Sequence, residues 1–127
     1  MTTPTTAPTD ADLLETVSSL VGPAVHVQLW LFPLDTAGVP LHVVIPIEDV
    51  PLDPDVMPRL GARVTRMAET ADWASLVLVW ERPGPAWLTR REEAVVDAFR
   101  AASGLPLRAE FLSHDTGVRR IGSATAA

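Results

Sequence analysis

SLVLVW, residues 75–80, is an unbroken apolar run of strand length, and the chain leaves it through ERPGPAWL, residues 81–88, into TRRE at 89–92. Apolar side chains on both faces of a strand require cover on both faces, so this run belongs in the middle of a sheet with helices above and below. Thr89 and Glu92 form a capping box, in which hydroxyl and carboxylate each accept from an amide that a helix start leaves without a partner. The helix that follows is expected to bury Val95, Val96, Phe99 and Ala102, with Gly104 closing it and Pro106 preventing its continuation. Leu107 to Ser113 then alternates as a strand ahead of a turn at Asp115 to Gly117, and Val118 to Ile121 is placed to extend the sheet.

Upstream, Val56, Leu60, Val64, Met67 and Ala71 recur at helical spacing. Pro58 suits the first turn of that helix if Asp55 is the cap, because first-turn amides have no partner to lose. Before the acidic linker EDVPLDPD, the segments Ala24 to Leu34 and Leu41 to Ile47 flank the turn DTAGVP and predict a hairpin. Pro33 and Pro46 each lack a ladder donor, which confines them to a strand end, a bulge or an outward edge position, so an edge of the sheet is expected here. Leu13, Leu14, Val17, Leu20 and Val21 share one face of a first helix that Asp10 caps and Gly22-Pro23 stops. The fold class expected is α/β (α+β): a single three-layer domain, residues 10–121, with a mixed sheet of four to six strands, an N-terminal hairpin and three flanking helices. Residues 1–9 and 122–127 are expected to be disordered.

With 127 residues and 47% hydrophobic composition the chain suits one core. No apolar stretch approaches the roughly 18 residues of a membrane span, and the Thr/Pro-rich start lacks the pattern of a secretory signal. No cysteine is present, which removes disulfides, a thiol nucleophile and thiolate metal sites and suits a cytoplasmic location. The net charge of -6 opposes non-specific attraction to nucleic acid or anionic lipid. Arg59, Arg63 and Arg66 share a helix face, read either as a solvated basic face beside the buried stripe or as a nucleic-acid contact.

The order of elements and the wording of residues 75–121, LVLVW followed by ERPGPAWLTRREEAVVDAFRAASGLPLRAEFLSHDTGVRRI, resemble the JAB/MPN-type domain of RadC-like proteins. The hairpin FPLDTAGVPLHVV fits that family's first two strands loosely. The resemblance implies a JAB/MPN-like scaffold. In active members an apolar strand runs into a His-x-His-Pro-Ser-Gly loop whose two His, with an Asp near the next helix, hold zinc, while a Glu from an early segment acts as base. Aligned on Pro83, the two His positions are Trp80 and Arg82, and the Asp position falls near Arg91 or Glu92. An indole does not bind zinc, and a guanidinium repels it. No Asp or Glu lies between Thr16 and Leu34. What the resemblance implies is therefore the scaffold without the chemistry, a pseudoenzyme, with no metal and no cofactor.

The three histidines lie far apart in sequence, and His26 and His42 fall out of register across the expected hairpin, so a shared metal is not expected. His114-Asp115 is a conceivable base and orienting acid with Ser113 or Thr116 as nucleophile, but a turn after a strand accounts for the same residues. Trp80, Trp87 and Arg82 are types found at binding hot spots; alternatively Trp80 ends the buried strand, Trp87 packs over the helix start and Arg82 pairs Glu81 or Glu92 in solvent. The candidate interaction surface comprises Trp80, Glu81, Arg82, Trp87, His114 and Asp115. The expected function is non-catalytic protein interaction, by self-association, for example as a homodimer, or as an accessory subunit, without nucleic-acid or membrane partners. The alternatives are a small hydrolase using Glu81, Glu92, His114 or Asp115, and a regulator that binds a small ligand beside the loop.

Overall fold

A computed structural model describes residues 7–121. Three helices, α1 (Asp10–Leu20), α2 (Met57–Ala71) and α3 (Arg90–Ala102), flank one sheet of β1 (Gln28–Leu34), β2 (Ile45–Glu48), β3 (Ser75–Glu81), β4 (Leu107–His114) and β5 (Gly117–Ile121). The strand order is β2-β1-β3-β4-β5. Only β3 and β4, joined through α3, run parallel; the other neighbours are antiparallel. The α+β three-layer architecture and the hairpin are as the patterning requires. The segments expected to be disordered, 1–9 and 122–127, lie outside the described residues except for 7–9, where Thr9 caps α1 and the Pro8 carbonyl accepts from Arg108.

The apolar run at 75–80 is the central strand. On one face Leu76, Leu78 and Trp80 join Leu29, Leu31, Val64, Val95, Phe99 and Leu112 in the core under α2 and α3. On the other face Val77 and Val79 join Phe32, Leu34, Phe111 and the Leu13 and Val17 stripe of α1. Trp80 meets Phe99 edge-on, with ring centroids 5.7 Å apart, a preferred aromatic geometry. Leu14 and Leu20, expected on the buried face of α1, are exposed, because a single helix cannot cover a five-stranded face and only its central stripe reaches the sheet.

Several boundaries differ from the sequence-based expectation, each for a local reason. Thr9, and not Asp10, caps α1, in a second capping box closed by Asp12. Helix α2 has no side-chain cap; Asp53 instead accepts from the Asp55 amide in a turn that feeds Val56, and Pro58 occupies the first helical turn. Strand β1 starts at Gln28 because the amides of Val25 and His26 are taken by the Glu81 carboxylate and that of Ala24 by the His114 carbonyl, so these three make no ladder bond. Strand β2 starts at Ile45, after a loop organised by Asp35, whose Oδ1 accepts from Ala37 and Val39.

Both prolines sit where a missing donor does no harm. The Pro33 carbonyl accepts from Leu41, so this residue's main chain faces the hairpin side, beyond the last β1–β2 pair at Leu31 and Ile45. The Asp49 amide donates to the Val27 carbonyl across the β1–β2 ladder, so by the two-residue alternation Pro46 and Glu48 turn their main chain outward. Pro46 therefore removes one of the outward donors of an edge strand.

Helices α2 and α3 touch through Gly61. A Cβ there would lie 2.6 Å from the Ala102 Cβ and 3.1 Å from its carbonyl carbon. The crossing is stitched by Thr65, whose hydroxyl donates to the Gly61 carbonyl and accepts from the Gly104 amide. Gly61→Ala gains about 1 kcal/mol of helix propensity but overpacks the contact at about 1–3 kcal/mol. Net destabilisation in urea unfolding is expected, and a variant more stable than the parent would show that the helices part freely.

Candidate functional site

The loop from Arg82 to Leu88 leaves the C-terminal end of β3 and enters α3. It is built around one guanidinium. Arg82 donates from Nε to Glu92 Oε2 at 2.7 Å and from a terminal nitrogen to Glu92 Oε1 at 3.1 Å, and also to the carbonyls of Pro85 at 2.7 Å and Trp87 at 2.8 Å. Its side chain is 7% exposed and that of Glu92 17%, so this pair is largely buried and not the solvent pair expected from sequence. Glu92 serves twice, because Oε1 also accepts from the Thr89 amide in the capping box. Burial pushes its carboxyl up, but the bonds and charge of Arg82, with those of Thr89, hold it below the usual value of 4.5. Gly84, at φ +139°, lets the loop close over Arg82, since a Cβ would come within 2.9 Å of the guanidinium.

Glu81 points to the opposite face of the sheet. Its Oε2 accepts from the amides of Val25 at 2.7 Å and His26 at 2.9 Å, and Oε1 from the Gln28 amide at 2.7 Å and the Trp30 indole at 2.9 Å. The residue is 4% exposed. Among the described residues no cation pairs with it. Burial alone would raise its carboxyl, yet the four neutral donors together keep it below its ordinary value. Nothing local in the sequence marks Gln28 and Trp30 for this role, since only the antiparallel pairing of β1 with β3 brings them to Glu81.

Of the other candidates, His114 is buried at the end of β4, with Nδ1 3.4 Å from both the Thr116 amide and hydroxyl. Asp115 is exposed and accepts from the Gly84 amide, while its own amide donates to the Gly84 carbonyl. The turn after β4 is thereby tied to the loop after β3, a link that Arg119 strengthens through the Ala86 carbonyl. The Ser113 hydroxyl is spent on the Gly22 carbonyl at 2.6 Å. Trp87 is 67% exposed, whereas Trp80 is 4% exposed. The surface expected from six residues thus presents Trp87 and Asp115 to solvent, with the other four buried beneath. Between loop and core, the space lined by Trp80, Arg82, Leu88 and Glu92 measures about 10 Å3, about what one water requires.

His26 precedes β1 and His42 precedes β2, at opposite ends of an antiparallel pair. Among the described residues no three His, Asp or Glu side chains converge as metal ligands would. Arg59, Arg63 and Arg66 stand exposed along α2. No helix of the described residues is long and apolar enough to cross a membrane. No protein-family model matches the chain, and no curated protein matches it in sequence.

Proposed function

We propose that this is a non-catalytic interaction domain on a JAB/MPN-like scaffold, a pseudoenzyme that acts by self-association or as an accessory subunit in the cytoplasm. The observation that carries the reading is the use made of the loop after β3. Its charged groups are consumed internally, Glu81 by four donors and Arg82 by four acceptor contacts, while Trp87 is held out to solvent. A catalytic acid or base needs a free lone pair or proton within reach of a substrate. A large aromatic displayed on a rigid loop is the kind of group that anchors an interface. The expected partner is another protein or a second copy of the chain, and the net charge of -6 speaks against nucleic acid and membrane.

Trp87→Ser tests the reading. The exposed indole contributes little to the core, so the melting temperature is expected to stay within a degree or two, while dimerisation by sedimentation, or retention of a partner, weakens tenfold or more. A wild-type protein that stays monomeric at millimolar concentration and retains nothing from its native extract would defeat the proposal.

A further inference from the structure

The helical layer over the sheet is open along one flank, where a groove of about 210 Å3 lies between α2 and the end of β2. Its wall is aliphatic, formed by Ile47, Val50, Val56 and Leu60, and Arg59 and Arg63 border it on the helix side. Ile47, Val56 and Leu60 pack against the core yet stay only partly buried, so two helices do not finish covering this side of the sheet. Arg59, Arg63 and Arg66 are exposed, and among the described residues none of the three pairs with an acid, although five other arginines of the chain do. The helix gains nothing from them. Like charges three and four residues apart oppose helix formation, and Arg59 stands in the first turn, where the helix dipole disfavours a cation. Of the two acids at the strand end, Glu48 is paired with Gln28 and shares its face, the face of Glu81, so its side chain turns away from α2. Asp49 is then a single carboxylate at the groove, and it pairs with neither arginine. In a chain of net charge -6, cations left free in a row beside an apolar groove call for an acid from outside.

We infer that this groove docks an acidic amphipathic helix of a partner protein, laid beside α2 with its apolar stripe on Ile47, Val56 and Leu60 and its carboxylates on Arg59 and Arg63. The spacing fits, since Arg59 and Arg63 are about one turn apart, roughly 6 Å along the axis, and acids four residues apart on a neighbouring helix stand at the same interval. Arg66 continues the row three residues further on. Apolar side chains at helical repeat entering a groove of this kind are a recurrent mode of recognition. A nucleic acid matches less well, because the wall is aliphatic and the chain as a whole is acidic. An added β-strand matches less well too, because Pro46 interrupts the outward donors of β2. The inference goes beyond the surface at Trp87 and does not rest on it, since Trp87 lies on the loop before α3.

The test mixes the full chain with three fluorescein-labelled synthetic helices of equal length: a leucine stripe flanked by glutamates, the same stripe flanked by lysines, and the glutamate helix with serine in place of leucine. The expected result by anisotropy is saturable binding of the leucine–glutamate helix with a Kd below about 100 μM, weakening as salt is raised. Each of the other two helices is expected to bind at least tenfold more weakly. The double variant Arg59→Glu with Arg63→Glu is expected to lose at least tenfold in affinity for the leucine–glutamate helix and to prefer the lysine-flanked one. Both side chains are exposed, so its melting temperature should not fall, which separates lost binding from lost folding. Trp87→Ser is expected to bind as the wild type does. No binding of the leucine–glutamate helix overturns the inference, as does undiminished binding by the double variant or loss of binding in Trp87→Ser. The serine helix binding equally well would mark a plain basic patch, and a DNA oligonucleotide bound more tightly than the helix and released by the double variant would assign the face to nucleic acid; either result overturns it as well.

Discussion

Arg82→Ala is expected to lower folding stability by about 3–5 kcal/mol, the range for removing one partner of a buried ion pair. The substitution leaves the Glu92 carboxylate and the carbonyls of Pro85 and Trp87 without their shared donor, and it opens space under Gly84. Arg82→Lys is expected to rescue little, because one ammonium cannot span the fork that the guanidinium makes to both Glu92 oxygens and two carbonyls. Urea unfolding measures the loss. A double-mutant cycle with Glu92→Ala separates the pair's coupling from the desolvation of what remains. A loss below about 1 kcal/mol would mean that the loop is not held by this residue.

Glu81→Ala is expected to cost on the order of 3 kcal/mol, mainly from the buried Gln28 amide and the half-buried Trp30 indole; the amides of Val25 and His26 lie in an exposed segment where water can replace the carboxylate. Hydrogen exchange is expected to show residues 24–27 loosening before the sheet does. The pH dependence follows in sign from the lowered carboxyl. A folded-state value below the unfolded one means that the charged form is bound more favourably in the native state, so its contribution is fully present above the unfolded value of about 4.5 and is lost as pH falls through the folded value. Glu92 acts in the same direction. The stability difference between wild type and Glu81→Gln should therefore narrow as the solution is acidified below about pH 4.5, and a difference that is constant from neutral to acid pH would show that the carboxylate charge is not what the cage holds.

The parts of the fold legible in the sequence are those written at short range. The apolar run at 75–80 and the Thr89 and Glu92 box each act within a few residues, and each is found where the pattern places it, whereas α3 reaches its cap at Ser103, whose extended backbone turns the chain out one residue before the expected Gly104 stop. What was not legible depends on partners distant along the chain. Val25 and His26 have the composition of a strand, but an acid more than fifty residues away takes their amides. Arg82 reads equally well as a surface cation; its burial is decided by how the loop folds back over it. The candidate surface shrank to Trp87 and Asp115 for the same reason, since Glu81, Arg82 and His114 are polar types whose usual place is outside. Glu110 is a lone acid between Ala109 and Phe111 in a strand, but nothing local pairs it with Arg100, which lies ten residues upstream on α3.

The outward proline of β2 bears on how these molecules behave when crowded together. Neighbours meeting rim to rim on that side find a gap in the row of amides, next to the Glu48 carboxylate, and the opposite rim on β5 carries Arg119 and Arg120. Ribbon-like growth from one molecule into the next is discouraged at both ends, which leaves side chains displayed on loops as the surface through which the proposed association would have to run.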